Sequence, residues 1–283
     1  MLIFKKIYDL QLWLAQERKA GERIGFVPTM GALHEGHLAL IQQANEVCTR
    51  SVASIFVNPT QFNDPADLEK YPRTPGRDIE LLEQTGCHAV FMPEAAEVYP
   101  PGKDLTLHLD LGQLDKVMEG QFRPGHFNGM ATVVKRLLDI VQPHVLLMGQ
   151  KDFQQLTIVR EMLRLLGSPV ELMMSPTIRE SDGLAMSSRN VRLTPEMRTV
   201  APVIYQTLQE AAQRIGTDPV PEVQAWAMRR MADAGLRPEY FDVVDGIRLQ
   251  PLRQDGNESF VVICVATWAG NVRLIDNIIV RTP

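Results

Sequence analysis

The sequence predicts an α/β protein, with a doubly wound parallel sheet first and a smaller α+β domain after it. Three observations predict this. Strand-like and helix-like segments alternate through the first two-thirds of the 283 residues, as β-α-β units do when they build a parallel sheet. The character then changes near residue 176. Three strand-like runs joined by short polar connections close the chain, which reads as an antiparallel meander. The length also suits two domains better than one ordinary small core. The expected division is residues 1–176 and 177–283.

In order, residues 6–20 carry Ile7, Leu10 and Leu14 at helical spacing, with Gly21 as a stop before the strand Ile24-Gly-Phe-Val27. From His37 to about Val47, residues Leu38, Ile41, Ala44 and Val47 form an apolar helical stripe. Ser51-Val-Ala-Ser-Ile-Phe-Val-Asn58 is apolar on both faces, hence a buried strand. Residues 76–85 read as a helix leading to the short strand His88–Met92. Ala131–Val141 is a helix stopped by Pro143, and Val145–Met148 a strand. Phe153–Leu166 is a helix ended by Gly167, followed by the strand Val170–Met174. These segments compose a Rossmann-like sheet, in which ligands bind at the carboxyl ends of the strands. Beyond the loop 177–193, Thr194-Pro195 supplies a cap and first-turn proline for a helix to about Ile215. The stretch Thr217–Pro221 separates it from a helix over 222–234. The runs Tyr240–Val244, Ser259–Trp268 and Val272–Val280 are the final strands.

Composition narrows the function. Hydrophobic residues make up 45% and charged residues 22%, with a formal net charge of −5. These are the proportions of a soluble globular protein. The apolar runs are strand-sized, so no membrane span is expected, and the amino terminus has no secretory pattern. Cys48, Cys87 and Cys264 follow no zinc or redox spacing, which fits buried reduced thiols in a cytoplasmic protein. The acidic balance argues against nucleic acid as a partner. One local basic pocket for a small anion remains compatible with it.

Two short segments carry most of the chemistry. Pro28-Thr-Met-Gly-Ala-Leu-His34-Glu-Gly-His37 runs from a strand through a glycine turn into a helix. Such a junction points backbone N–H groups at an anion. His34 and His37, three apart, would share one face of the helix and donate to a phosphoryl oxygen, although two surface histidines would give the same pattern. A zinc-binding His-Glu-x-x-His helix needs a different spacing. Met186-Ser-Ser-Arg-Asn190 offers two hydroxyls and a guanidinium for phosphates, or an ordinary polar turn. Gly149-Gln-Lys-Asp152 places Lys151 at a strand end as a point charge for phosphate, while Asp152 and Gln155 would also suit a capping box. Asn58-Pro-Thr-Gln-Phe62 brings two amides to the sheet edge, where they can hold a polyol or carboxylate. Tyr71-Pro-Arg73 and Arg123-Pro-Gly-His126-Phe127 are either ligand loops or tight proline turns. Together the two principal segments suggest cleavage of a nucleotide between its α and β phosphates.

These motifs, with Ser54–Pro59, Tyr71–Thr74, Lys151–Gln155, Asp182–Asn190 and Leu274-Ile-Asp-Asn277, occur in an order that resembles the pantoate–β-alanine ligase family from near residue 24 to the carboxyl end. His34–His37 matches the H-x-G-H signature of the nucleotidyltransferase superfamily. Met186–Arg189 stands where a Lys-Met-Ser-Lys-Ser-like loop stands in relatives of that superfamily.

The resemblance implies ATP-dependent condensation of (R)-pantoate with β-alanine through a pantoyl adenylate, releasing AMP and pyrophosphate, in the supply of a coenzyme A precursor. It implies an ATP site of Met30, Gly31, Ala32, Leu33, His34, Glu35, Gly36 and His37, with Gly149, Gln150, Lys151 and Asp152, the backbone near Ile178, and Met186, Ser187, Ser188 and Arg189. His37 takes the family's proton-donor assignment, and His34 and Lys151 join it as catalytic residues. Gln61 and Gln155 hold pantoate, and Gln61 also lies beside β-alanine. Mg²⁺ is expected to arrive with the triphosphate and to have no dedicated protein cage, with Asp78 as an indirect ligand. A homodimer through the first domain is implied as well. The second domain is expected to act as a lid that shields the adenylate from water.

Two positions depart from the family pattern. Thr60 stands for a methionine, and Gln150 stands for the glutamate of Gly-Glu-Lys-Asp. The neighbouring readings are a nucleotidylyltransferase acting on a phosphate-bearing acceptor and a nucleotide- or RNA-binding protein without chemistry. The amides Gln61 and Gln155 disfavour the first. The intact histidine pair, Lys151 and the Ser-Ser-Arg loop disfavour the second.

Overall fold

The computed structural model describes residues 1–62, 65–252 and 258–282. In chain order the first elements are β1 (Leu2–Phe4), α1 (Ile7–Lys19), β2 (Ile24–Thr29), α2 (Glu35–Val47), β3 (Arg50–Ile55), α3 (Pro65–Lys70) and α4 (Pro75–Gln84). They are followed by β4 (Ala89–Phe91), α5 (Ala95–Val98), α6 (Glu119–Phe122), α7 (His126–Val141), β5 (Val145–Gly149), α8 (Phe153–Leu165) and β6 (Glu171–Ser175). The remainder comprises α9 (Pro195–Val200), α10 (Val203–Arg214), α11 (Val220–Asp233), β7 (Arg237–Asp245), β8 (Val261–Ala269) and β9 (Val272–Arg281). Two compact units result. One contains Met1–Leu111, Arg123–Gly149 and Ile158–Pro176, and the other Gly112–Phe122, Gln150–Thr157 and Thr177–Pro283.

The first unit is built on a sheet of order β1-β4-β3-β2-β5-β6, every pair parallel. The chain lays β2, β3 and β4 outward to one side, then returns to place β5 and β6 on the other. The order therefore reverses between β2 and β5, and the carboxyl ends of those strands are where a doubly wound sheet takes its ligand. Both central strands are buried on both faces, with Ile24, Phe26, Val27, Val145, Leu146 and Leu147 fully enclosed. Helix α2 packs Ile41 and Ala44 against this layer, as its apolar stripe predicts.

The second unit has an antiparallel sheet of order β7-β8-β9. Ile204 and Leu208 of α10, with Val223 and Met231 of α11, bury against Val243, Ile263 and Val265 of the sheet. The parallel α/β sheet and the meander are thus as the sequence predicts.

Several details differ. The edge strand β1 escapes a reading based on periodicity because three residues carry none. Strand β3 ends at Ile55, before the 3₁₀ turn of Pro59–Gln61. Helix α7 begins at His126, five residues before the expected start, because Gly125 (φ 79) turns the chain into it. The single helix expected from Pro195 to Ile215 is two helices. Pro202 cannot donate to the preceding turn and breaks it, while Thr194 caps the first as predicted, its hydroxyl accepting the Met197 N–H at 3.3 Å. The link from β7 to β8 is also longer than a hairpin turn. Among the described residues, no helix is long and apolar enough to cross a membrane.

Candidate active site

The carboxyl end of β2 feeds a turn with two consecutive left-handed residues, Gly31 (φ 79) and Ala32 (φ 50). Alanine adopts that region at a cost, so something must hold it there. Asp78, buried on α4, accepts the Ala32 N–H at 3.0 Å and the Leu33 N–H at 2.9 Å, and Thr74 donates its hydroxyl to the same carboxylate at 3.1 Å. A Cβ at Gly31 would lie 3.0 Å from both Asp78 Oδ2 and Ile55 Cγ2. Thr29 completes the turn by accepting the Gly31 N–H at 3.1 Å. Asp78 is therefore the buckle of this turn, a different task from that of an indirect metal ligand.

His34 is the N-cap of α2, in extended conformation, and not a residue on the helix face. The two imidazoles nevertheless meet, with ring centroids 4.1 Å apart. Their meeting is a reciprocal cap: His34 Nδ1 accepts the Gly36 N–H at 3.2 Å, and His37 Nδ1 accepts the His34 N–H at 3.3 Å. An Nδ1 that accepts carries no proton, so each neutral ring bears its proton on Nε2. Here the structure corrects the sequence reading. The N–H groups of Gly31, Ala32, Leu33, His34 and Gly36 are engaged by the chain's own side chains. The imidazole Nε2–H groups are the side-chain donors on this turn that the cap leaves unused.

Beyond β3, Asn58 organises the second amide. It is 1% exposed. Its Oδ1 accepts from Tyr99 OH at 3.0 Å and Thr60 Oγ1 at 3.1 Å, and its Nδ2 donates to Gln61 Oε1 at 3.1 Å. Burial holds the Tyr99 phenol above its ordinary value, which keeps it a donor. Gln61 is thereby oriented with Oε1 toward Asn58 and Nε2 3.2 Å from Met30 Sδ. From α7, His126 Nδ1 donates to the Gln61 carbonyl at 2.8 Å, and Gly129 packs directly on the backbone of Thr60 and Gln61. The Arg123–Phe127 segment thus buttresses Gln61 through His126. Arg73 folds back to donate to the carbonyls of Leu68 (3.2 Å) and Tyr71 (3.4 Å), as a loop-closing residue does.

Gly149 ends β5 in the first unit, and Gln150–Asp152 form a 3₁₀ turn in the second. Lys151 and Gln155 are half-buried. Gln154 is wholly structural: it donates to the carbonyls of Leu114 (2.7 Å) and Val117 (2.8 Å) and accepts the Glu119 N–H at 3.0 Å. Within the same unit, Arg179 and Ala185 form an antiparallel bridge, and the Met186 N–H donates to the Ile178 carbonyl at 3.0 Å. This narrow hairpin presents Ser187, Ser188 and Arg189 at its exit. Ser187 Oγ accepts the Arg189 N–H at 3.2 Å, and Asn190 donates its amide to the Ala185 carbonyl at 3.1 Å.

The family model described as pantoate–β-alanine ligase matches residues 2–279. The chain belongs to the pantoate–β-alanine ligase family. It is 48% identical to a pantothenate synthetase of Porphyromonas gingivalis over 279 residues, 98% of this chain and 99% of that protein. It is also similar to the crystal structure of pantothenate synthetase from Thermus thermophilus, with a TM-score of 0.90 and 41% identity over 99% of this chain and 100% of the other. A pantoate–β-alanine ligase from Francisella tularensis, solved with β-γ ATP and β-alanine, matches with a TM-score of 0.82 and 34% identity, covering 100% of this chain and 99% of that one. The reaction of this ligase is the joining of pantoate to β-alanine.

Three supports of the site have tasks that no local sequence signal specifies. Asp78 reaches the 32–33 turn from 45 residues away, and no local pattern encodes that contact. Tyr99 lies between weakly patterned segments. Asn277 belongs to the Leu274–Asn277 motif, and its side-chain partners Gln150 and Lys151 lie 127 and 126 residues away.

Proposed function

We propose that the ligase activates pantoate with ATP and then transfers it to the amine. A pantoate carboxylate oxygen attacks the α-phosphorus, the bond to the β-phosphate oxygen breaks, and pyrophosphate leaves, giving pantoyl adenylate. The β-alanine amine attacks the acyl carbon. The bond between acyl carbon and phosphate oxygen breaks with its electrons on AMP, and the new amide nitrogen loses a proton. A carboxylate resists attack by an amine until its oxygen belongs to such a leaving group, so the protein has mainly to align and to stabilise charge.

In this reading His34 and His37 donate from Nε2 to phosphoryl oxygens as negative charge develops. Lys151 meets the phosphates as a point charge, and Ser187, Ser188 and Arg189 bind the β and γ phosphates. Met30–His37, Gly149–Asp152, Ile178 and Met186 supply the remaining ATP contacts. Gln61 and Gln155 hold pantoate, with Gln61 also beside β-alanine. Mg²⁺ enters bound to ATP as part of the substrate. Asp78, whose carboxylate oxygens accept the Ala32 and Leu33 N–H groups, holds the turn that carries His34. A homodimer formed through the first unit and a cytoplasmic location complete the proposal, the former testable by sedimentation.

The observation that carries this reading is the reciprocal cap of the two histidines, which aims protonated nitrogens away from the backbone. The test is ATP–pyrophosphate exchange with Mg²⁺ and without β-alanine. Exchange that requires pantoate supports the adenylate. Formation of pantothenate and AMP from all three substrates without such exchange, in a protein that releases pyrophosphate freely, would overturn it.

A further inference from the structure

Two adjacent residues of β9 reach both phosphate-binding segments of the second unit. The Asn277 side chain, 1% exposed, donates from Nδ2 to the carbonyls of Gln150 (2.9 Å) and Lys151 (2.8 Å), and its Oδ1 accepts from Gln150 Nε2 at 3.1 Å. Three bonds from one amide fix the whole turn that carries Lys151. Asp276, 4% exposed, receives Arg179 in a two-point ion pair at 2.6 and 3.0 Å and the Asn277 N–H at 2.8 Å. Arg179 also donates to the carbonyls of Gly183 (3.1 Å) and Asn277 (3.3 Å), and its guanidinium lies 3.6 Å from the centroid of the Tyr205 ring. Gly183 approaches Tyr205 so closely that a Cβ there would sit 2.7 Å from the ring. Arg179 is one strand of the hairpin whose exit is Met186–Arg189. Neighbouring residues of a strand face opposite sides, so one rigid strand grips two loops.

We propose that Asn277, braced by Asp276, is a positioning residue that sets the Lys151 turn and the Ser187–Arg189 loop in one register for the triphosphate. The inference rests on the assignment of Lys151 and that loop to ATP. It also gives a task to Gln150. A glutamine donates to Asn277 Oδ1, whereas a carboxylate there would face another acceptor. Asn277 acts through the main chain of Lys151, since a buried amide with three fixed partners leaves that backbone no alternative arrangement.

The test is a double-mutant cycle on the full-length chain, read by pantoate-dependent ATP–pyrophosphate exchange. Asn277→Ala is expected to lower kcat/KM for ATP about tenfold or more, as loss of a positioning contact does. Added to Lys151→Ala it should cost less than about twofold further, whereas its effect should multiply with that of His37→Ala. Full multiplication in the Lys151→Ala background would overturn the proposal, as would unchanged exchange in Asn277→Ala while Lys151→Ala is impaired. Unchanged exchange in Lys151→Ala would overturn the ATP assignment itself, and the inference with it. Should Asn277→Ala fail to fold, Gln150→Met removes the bond to Asn277 Oδ1 without adding charge. A several-fold rise in KM for ATP at an unchanged melting temperature is then expected, and no rise overturns the proposal.

Discussion

The Asp78 carboxylate accepts the Ala32 N–H at 3.0 Å while Ala32 sits at φ 50. The contact joins a buried anion to a strained alanine in the turn that carries His34. Asp78→Asn keeps the shape but loses the charge and turns an amide donor toward backbone N–H groups. With charge-assisted bonds to Ala32, Leu33 and Thr74 weakened together, the expected loss is about 3 kcal/mol. Thermal melting should fall by several degrees, and exchange activity should fall with it because the N-cap follows directly. A variant that melts and exchanges like the parent would deny Asp78 this task.

Gly129 has no room for a side chain. An added Cβ would lie 2.8 Å from the carbonyl carbon of Thr60 and 3.2 Å from Gln61 Cα, with the Thr60 oxygen nearer still. These are backbone atoms and cannot rotate away. Gly129→Ala should therefore displace the turn that holds Gln61, at about 1–3 kcal/mol of stability. Initial rates of pantothenate formation should show the KM for pantoate rising more than that for ATP. Equal changes in both would detach Gln61 from pantoate.

The layers of the fold were legible because their signals are local and repeated. The stripe Leu38, Ile41 and Ala44 and the doubly apolar β3 could each be read within one window. The histidine pair was legible as a motif, yet its geometry was not. A spacing of three suggests a shared helix face, whereas His34 lies outside the helix and meets His37 through a cap. Contacts such as Asp78 to Leu33, Tyr99 to Asn58 and Asn277 to Lys151 join segments remote in sequence. Periodicity carries nothing about them, and the proline at 202 outweighed a helical pattern that continued through it.

His88 gives stability a pH dependence of known sign. Burial, and then the Arg50 charge, hold its imidazole below the ordinary histidine value. Its Nδ1 accepts the Ser51 N–H at 3.2 Å, a contact that needs the ring unprotonated on that atom. As pH falls from about 7 toward 5, the unfolded chain takes up a proton that the folded chain refuses, so stability declines with acidity. His88→Asn retains an acceptor near Nδ1 without titrating. Its melting temperature should fall less steeply than the parent's over that interval, and an identical slope would exclude the contribution.

The reciprocal cap of His34 and His37 permits the two nitrogens of one ring to be tested separately. Asparagine at 37 can place its oxygen near the Nδ1 position and accept the His34 N–H, but it has no group where Nε2 stands. Glutamine can extend an N–H toward the Nε2 position, but it forfeits the short cap. His37→Asn should therefore keep its melting temperature and lose pantoate-dependent exchange by about a hundredfold or more, the usual effect of removing one donor to a developing charge. His37→Gln should melt lower by an amount equal to about 1 kcal/mol and retain more exchange than His37→Asn. The opposite ranking would mean that the cap carries the activity and the Nε2 donor does not. Nitrogen NMR of the labelled imidazoles in the parent would then decide the tautomer directly, with protons on Nε2 of both rings as the expected result.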